Sequence, residues 1–130
     1  MSYAPFSRAA ARYRDVDLDS KVMNATPHGL ISLLYEELIR EFNVYRSALE
    51  QQDRERRYTA QQKIFNIIGN LESSLNFEKG GDVARSLFHS YAYIRQRFAQ
   101  TLRTLDPEPL TEARKAVAEL LSAWNEIGSQ

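Results

Sequence analysis

Apolar residues recur every three or four positions along most of the chain, which is the period of an α-helix. Strand-like alternation does not persist anywhere in the sequence, so we predict an all-α fold. The pattern divides into four amphipathic segments. Their apolar stripes are Leu30, Leu34, Leu38, Phe42, Tyr45 and Leu49; Ile64, Ile67, Ile68, Leu71 and Leu75; Val83, Leu87, Tyr91, Ile94, Phe98, Leu102 and Leu105; and Leu110, Ala113, Val117, Leu120, Leu121, Trp124 and Ile127.

Capping residues mark where the first two helices begin. Thr26 is a good N-cap, and Pro27 follows at the first helical position, where a missing N–H does no harm. The first helix is predicted to end near Glu50, and Asp53 is positioned to cap the second.

Glycine and proline mark the later boundaries. Gly80-Gly81 is predicted to end the second helix, and Asp82 is predicted to cap the third. The run Asp106-Pro107-Glu108-Pro109 ends the third helix and starts the fourth, which ends near Gly128. Four long helices with short connections predict an antiparallel four-helix bundle.

The segment before Thr26 has a different character. Between Pro5 and Tyr13, apolar residues at helical spacing predict a short helix, which is marginal in water unless it packs on something. We therefore expect one domain over residues 1–130, with 26–128 as the four-helix bundle. Residues 1–25 are expected to be a mobile N-terminal cap and tether whose helical segment packs on the bundle.

Charge and composition exclude several functions. Lys plus Arg and Asp plus Glu each total 17, so there is no net positive field to hold nucleic acid or an anionic bilayer. No apolar run has the length of a membrane span or a signal-peptide core. The chain has no cysteine, which suits a reducing compartment. We expect a cytoplasmic protein that binds no nucleic acid and does not insert into membranes.

Ionisable groups give little support for catalysis. Neither His28 nor His89 has an acidic residue three positions before it, as the di-metal sites of helical bundles require. A phosphotransfer histidine is the best enzyme-like alternative, but no lysine follows His89 closely. We therefore expect no enzyme activity, no metal and no cofactor.

Some apolar residues lie outside the stripes that a bundle core needs. Leu33 and Val44 fall off the first stripe, and Tyr58 and Phe65 lie one heptad apart on the second helix. These positions predict an open groove for a helix of another protein. The chain's own N-terminal aromatic residues are expected to occupy this groove when no guest is bound. The candidate partner-binding residues are Phe6, Tyr13, Leu33, Tyr35, Val44, Tyr58, Phe65 and Tyr93.

Three spaced motifs give the sequence a family resemblance. They are Tyr13 with Ala25-Thr26-Pro27, Leu30 and Leu34-Tyr35; then Glu78-Lys79-Gly80-Gly81 with Ala84, Leu87, Tyr91, Tyr93 and Arg97; and finally Ala123-Trp124 with Ile127. In this order the chain resembles the flagellin-specific export chaperones of the FliS family. It departs from the family where Leu-Tyr-Asp-Tyr is usual, because Ser90-Tyr91-Ala92-Tyr93 stands there.

The resemblance implies an antiparallel four-helix bundle that binds the disordered C-terminal segment of flagellin. Such binding prevents premature polymerisation and keeps flagellin competent for export. Tyr13 matches the family's N-terminal tyrosine and is assigned to the groove, either as a lid or as a direct contact. Contact with the flagellar export gate and a weak homodimer are further expectations. The alternative is a self-associating adaptor bundle that does not bind flagellin.

Overall fold

The structure, a computed structural model, describes residues 26–128, which form four helices joined by short turns. Helix α1 spans Pro27–Glu50, α2 spans Arg54–Ser73, α3 spans Phe77–Thr104 and α4 spans Pro107–Gly128. The predicted all-α bundle is confirmed, whereas the predicted helical segment within residues 1–25 lies outside the described residues. Across residues 26–128, none of the helices is both long and apolar enough to cross a bilayer.

Helix α1 organises the packing of the bundle. It packs closely against both α2 and α4, and α3 packs closely against α4, whereas α2 and α3 approach each other least of the four neighbouring pairs. Large side chains from all four helices fill the centre and are almost fully buried. They include Leu34, Leu38, Phe42, Ile64, Ile67, Ile68, Leu71, Tyr91, Ile94, Phe98, Leu110 and Val117. The α2–α3 seam is therefore the least closely packed of the four.

The predicted starts of the first two helices are confirmed. The Thr26 hydroxyl accepts a hydrogen bond from the backbone N–H of Gly29 at 3.0 Å, and Pro27 occupies the first turn of α1. The Asp53 carboxylate accepts the corresponding bond from the N–H of Arg56 at 3.1 Å. Each cap satisfies a backbone donor that has no partner within its own helix.

The predicted boundary between the second and third helices is wrong. Helix α2 ends at Ser73, and α3 begins at Phe77 with Asn76 as its cap, whose side chain accepts from the N–H of Lys79 at 2.9 Å. Gly81 lies within α3 as a kink with φ 51° and ψ −127°, a conformation that L-residues with side chains rarely adopt. The glycine pair therefore bends a helix near its start instead of ending the previous one.

Three residues of the predicted apolar stripes are exposed: Val83, Leu105 and Ile127. Val83 follows the kink, which turns Ala84 into the core instead, and Ile127 lies in the last turn of α4. Leu105 has a positive φ of 60° because it reverses the chain after α3. The buried hydroxyl of Thr101 fixes this turn, since it accepts from the N–H of Leu110 at 2.9 Å.

The first turn of α1 is held by the last turns of α4. The rings of His28 and Trp124 stack with centroids 4.4 Å apart, and the Trp124 indole N–H donates to the His28 carbonyl at 2.9 Å. One turn further on, the Ser32 hydroxyl donates to the side-chain carbonyl of Asn125 at 2.6 Å. These contacts fix the point at which residues 1–25 join the bundle.

Candidate functional site

The least closely packed seam of the bundle is bordered by residues that share one side of each helix, at spacings of three, four and seven. We call it the α2–α3 groove. Its walls are Tyr58, Phe65, Gly69 and Glu72 on α2, and Phe88, Ala92, Arg95, Ala99 and Leu102 on α3. Tyr58 is 63% exposed and Phe88 is 43% exposed, and the small residues Gly69, Ala92 and Ala99 lie along the same seam. Each of the two rows extends about 20 Å along its helix.

A charged bridge crosses this groove from the middle of the α3 wall to the last turn of α2. The Arg95 guanidinium donates two hydrogen bonds to the Glu72 carboxylate, at 2.6 and 3.2 Å. Its central carbon also lies 5.5 Å from the centre of the Phe65 ring, within cation–π range. The Phe65 ring packs in turn on the buried ring of Phe98, with centroids 5.3 Å apart. Arg95 therefore covers an aromatic patch that leads directly into the core.

An aromatic pair extends the groove towards the end of the bundle. The rings of Phe77 and Phe88 meet edge to face, with centroids 5.9 Å apart, and both remain partly exposed. The kink at Gly81 lies between them in the sequence. Apolar surface on this scale at a protein exterior is typical of a contact for another molecule.

A second cleft, of about 410 Å³, opens between α3 and α4. Tyr93 lines it from α3, while Ala116 and Leu120 line it from α4, with His89 and Glu119 at its edge. This cleft lies on the opposite side of α3 from Arg95. Arg97 is on the cleft side, because its side chain bonds to Glu112 of α4. Helix α3 is therefore flanked by apolar surface on both sides.

A third cleft, of about 470 Å³, lies between α1 and α2 and is charged. Val44 and Ala60 line it together with Arg40, Glu41 and Lys63. Glu41 is only 3% exposed. Its carboxylate lies 3.5 Å from the Arg40 guanidinium and 3.9 Å from the Lys63 ammonium. Burial raises the pKa of Glu41, and the nearby Lys63 opposes that change.

The predicted partner-binding residues do not lie on one surface. Tyr58 and Phe65 lie together in the α2–α3 groove, and Tyr93 lies in the α3–α4 cleft. Val44 lines the α1–α2 cleft, and Leu33 is partly buried on α1. The candidates Phe6 and Tyr13 lie outside residues 26–128.

Tyr35 has to be removed from the set of surface contacts. Its side chain is 1% exposed, and its hydroxyl is hydrogen-bonded to that of Tyr91 within the core. Tyr35 lies beside Leu34 and Leu38 on the buried side of α1, where the sequence placed it only at the edge of the apolar stripe. A core residue of this kind affects partner binding only through the stability of the bundle.

Phe77 and Phe88 were missed by the sequence analysis. Phe88 directly follows Leu87 of the apolar stripe, so it lies about 100° around the helix and outside that stripe, where the sequence makes it a candidate. Phe77 was missed because the predicted boundary placed it at the end of the second helix. Arg95 and Glu72 carried no sequence signal for pairing, since they are 23 positions apart.

The two histidines are far from any cluster of catalytic type. His28 stacks on Trp124 at one end of the bundle, and His89 is exposed beside Phe88 on α3. In the part of the chain that the structure describes, no group of three or more His, Cys, Asp or Glu side chains is placed to hold a metal ion.

A comparison with family models identifies the chain from its sequence. Residues 9–130 match the family described as flagellar protein FliS. The chain belongs to the FliS family. Relatives include the flagellar secretion chaperone FliS of Salmonella typhimurium, which is 34% identical over 116 residues, covering 88% of this chain and 86% of that protein.

Two further FliS proteins are similar over most of their lengths. The flagellar secretion chaperone FliS of Vibrio cholerae is 29% identical over 115 residues, covering 88% of this chain and 85% of that protein. The flagellar secretion chaperone FliSB of Pseudomonas aeruginosa is 29% identical over 120 residues, covering 92% and 95%. The FliS family match, over residues 9–130, therefore includes all four helices and the residues on both sides of α3.

Proposed function

We propose that this chain is a cytoplasmic flagellar secretion chaperone that binds the disordered C-terminal segment of flagellin. Binding prevents flagellin from polymerising early and keeps it in a form that can be exported. Membership of the FliS family supports the proposal. The similar flagellar secretion chaperones support it too, because the sequence match covers nearly the whole length of each. The observation that carries it is the α2–α3 groove, with exposed aromatic side chains along the least closely packed seam of the bundle.

The dimensions of the groove suit a guest helix. A groove of about 20 Å accommodates three to four helical turns, so apolar residues at i, i+3, i+4 and i+7 of a guest contact both walls. Burying about 1,000 Å² of apolar surface stabilises a complex by ~25 kcal/mol before opposing effects. Ordering of the segment and association offset most of this, which leaves binding that is tight but reversible.

The other clefts offer contacts beyond the groove. A guest segment that crosses α3 reaches Tyr93 in the α3–α4 cleft, and one that continues around α2 reaches Val44 and then Leu33 on α1. A disordered chain covers such separate sites by wrapping around the bundle. Contact with the export gate and a weak homodimer belong to the same proposal.

The N-terminal segment is assigned a competing role. Phe6 and Tyr13 bind in the groove when flagellin is absent, and the guest displaces or contacts them. A Tyr13→Ala variant is then expected to change the flagellin affinity while its unfolding midpoint stays that of the wild type. An unchanged dissociation constant by calorimetry excludes this role for Tyr13.

Isothermal titration calorimetry with unpolymerised flagellin tests the proposal. We expect full-length flagellin to bind and a C-terminally truncated form to lose binding. Tyr58→Ala is expected to weaken binding on the order of tenfold, as removal of an aromatic anchor does. Ile127→Ala, a change at an exposed apolar residue of α4, is the matched control and is expected to have no effect. Equal affinity for both forms of flagellin would exclude the C-terminal segment as the guest.

Sedimentation distinguishes the chaperone from a self-associating adaptor. A chaperone is expected to shift from its free form to a complex with flagellin of defined stoichiometry. An adaptor bundle is expected to remain a stable homodimer whether flagellin is present or not. A persistent homodimer that does not bind flagellin would therefore favour the adaptor.

A further inference from the structure

Arg95 occupies the part of the α2–α3 groove where a guest side chain has most to gain. Beneath its guanidinium lie Phe65 and then Phe98, so the aromatic contact continues from the surface into the core. Elsewhere along the walls, Tyr58 and Phe88 are already exposed. The bridge between Arg95 and Glu72 therefore covers a position at which the aromatic surface is connected to the core.

The bridge has the properties of a contact that can be exchanged. The side chains of Arg95 and Glu72 are 39% and 23% exposed, so water already screens the pair. Ion pairs of this kind contribute little to stability, and a cation–π contact at a solvated site adds a similarly small amount. Because neither Arg95 nor Glu72 belongs to the buried core, opening the bridge does not require the core to unpack.

We propose that the Arg95–Glu72 pair is a gate over Phe65 that the flagellin segment must open in order to bind. In the closed state Arg95 shields the Phe65 ring, and in the open state an apolar side chain of the guest takes its place. The gate sets a threshold that selects segments able to supply an apolar anchor at this position. This inference rests on the proposed function, since the guest is the flagellin segment assigned there.

Single variants on each side of the bridge test the gate. Glu72→Gln removes the charge that holds Arg95 in place, without adding apolar surface to the groove. Arg95→Met removes the covering charge while keeping a long side chain. Each variant is expected to bind flagellin more tightly, on the order of tenfold, because the bridge no longer competes with the guest. Affinity is measured by calorimetry, and the association rate by stopped flow.

A charge swap separates the gate from direct contact with flagellin. The double variant Glu72→Arg with Arg95→Glu rebuilds the ion pair with its charges exchanged, so a gate predicts an affinity close to that of the wild type. If either residue contacts the guest directly, the double variant is instead expected to bind flagellin more weakly than the wild type. Tighter binding by Arg95→Met but not by Glu72→Gln would also overturn the gate, because added apolar surface alone explains that result.

The chain offers a matched control on the other side of α3. Arg97 bonds to Glu112 of α4 in a comparable bridge that lies outside the α2–α3 groove. Glu112→Gln makes the same chemical change as Glu72→Gln and is expected to leave the flagellin affinity unchanged. If both variants bind more tightly to the same extent, the effect is one of net charge and the gate is excluded.

A readout without flagellin distinguishes failure of the gate from failure of the proposed function. Fluorescence of the neutral dye Nile red is expected to rise with Glu72→Gln, which uncovers Phe65, and to remain at the wild-type level with Glu112→Gln. Should the dye respond while wild-type protein does not bind flagellin, the proposed function fails and the gate stands. Should flagellin bind while neither dye nor affinity responds to Glu72→Gln, the gate fails and the function stands.

Discussion

The hydroxyl oxygens of Tyr35 and Tyr91 lie 2.7 Å apart in the core and join α1 to α3 diagonally across the bundle. Both side chains are almost fully buried, so this hydrogen bond satisfies two polar groups that water does not reach. It is a specific polar contact between two helices that are otherwise separated by apolar side chains, and it fixes their relative positions along the bundle axis.

Removing both hydroxyls is expected to destabilise the bundle by less than the sum of the two single removals. Tyr35→Phe deprives the Tyr91 hydroxyl of its buried partner and is expected to lower the free energy of unfolding by about 1–2 kcal/mol. The double variant Tyr35→Phe with Tyr91→Phe leaves neither of these groups in place, so its loss is expected to be smaller than the sum of the two single losses. Urea unfolding measures all four proteins, and additive losses would mean that the hydroxyls do not interact.

The same pair is expected to limit stability in alkali. Burial raises the pKa of Tyr35 to about 12 and that of Tyr91 well above its usual 10. A raised pKa means that the folded state favours the neutral phenol, so its contribution to stability is present below pH 10 and is lost as the pH rises towards 12. We expect the wild type to lose stability over this range more steeply than the double Phe variant. Parallel pH curves would contradict this assignment.

Glu41 is expected to destabilise the bundle at neutral pH. Its pKa is raised by burial above the ordinary 4.5, so its contribution to stability is greatest below that pH and is lost as the pH rises through the folded-state value. Glu41→Gln is therefore expected to raise the melting temperature by a few degrees at neutral pH and to have no advantage in acid. Glu36→Gln, at an exposed position on the same helix, is the control and is expected to have no effect at either pH. A lower melting temperature for Glu41→Gln at neutral pH would mean that its ion pairs with Arg40 and Lys63 outweigh the effect of burial.

The two adjacent glycines of α3 are expected to respond in opposite directions. Gly81 has a φ of 51°, and a Cβ there meets nothing within 4 Å, so Gly81→Ala strains the backbone without a steric clash. We expect it to destabilise the bundle by about 1–2 kcal/mol. Gly80 lies in the helical turn before the kink, so Gly80→Ala is expected to be neutral or to stabilise by up to about 1 kcal/mol. Thermal unfolding compares the two, and equal effects would contradict the kink.

Local signals were sufficient to predict most of the fold. Caps at Thr26 and Asp53 act within one turn of their own helix, so the sequence carries all the information needed to place them. The Gly80-Gly81 pair led to a wrong helix boundary because glycine allows both a helix end and a kink. The two are distinguished by the capping bond in which the Asn76 side chain accepts from the N–H of Lys79. The burial of Glu41 carries no comparable local signal, because a carboxylate is rarely buried and the two cations beside it come from different helices.

The candidate site was predictable only in part. Tyr58 and Phe65 could be identified because they lie off the apolar stripe of their own helix. The groove between α2 and α3 depends on how far apart two helices lie, and that distance results from the packing of all four. The bridge from Arg95 to Glu72 likewise requires the antiparallel alignment of two helices, which no periodicity within one helix determines.

Trp124 gives the protein a built-in optical probe. It is the single tryptophan of the chain, and it is stacked on His28 where residues 1–25 join the first turn of α1. Its fluorescence emission therefore reports the polarity of that junction. No other residue of the sequence contributes to the tryptophan signal. A rearrangement of residues 1–25 that disturbs the His28 stack is expected to change this emission. Its rate can therefore be measured on unlabelled protein, in the same stopped-flow experiment that follows flagellin binding.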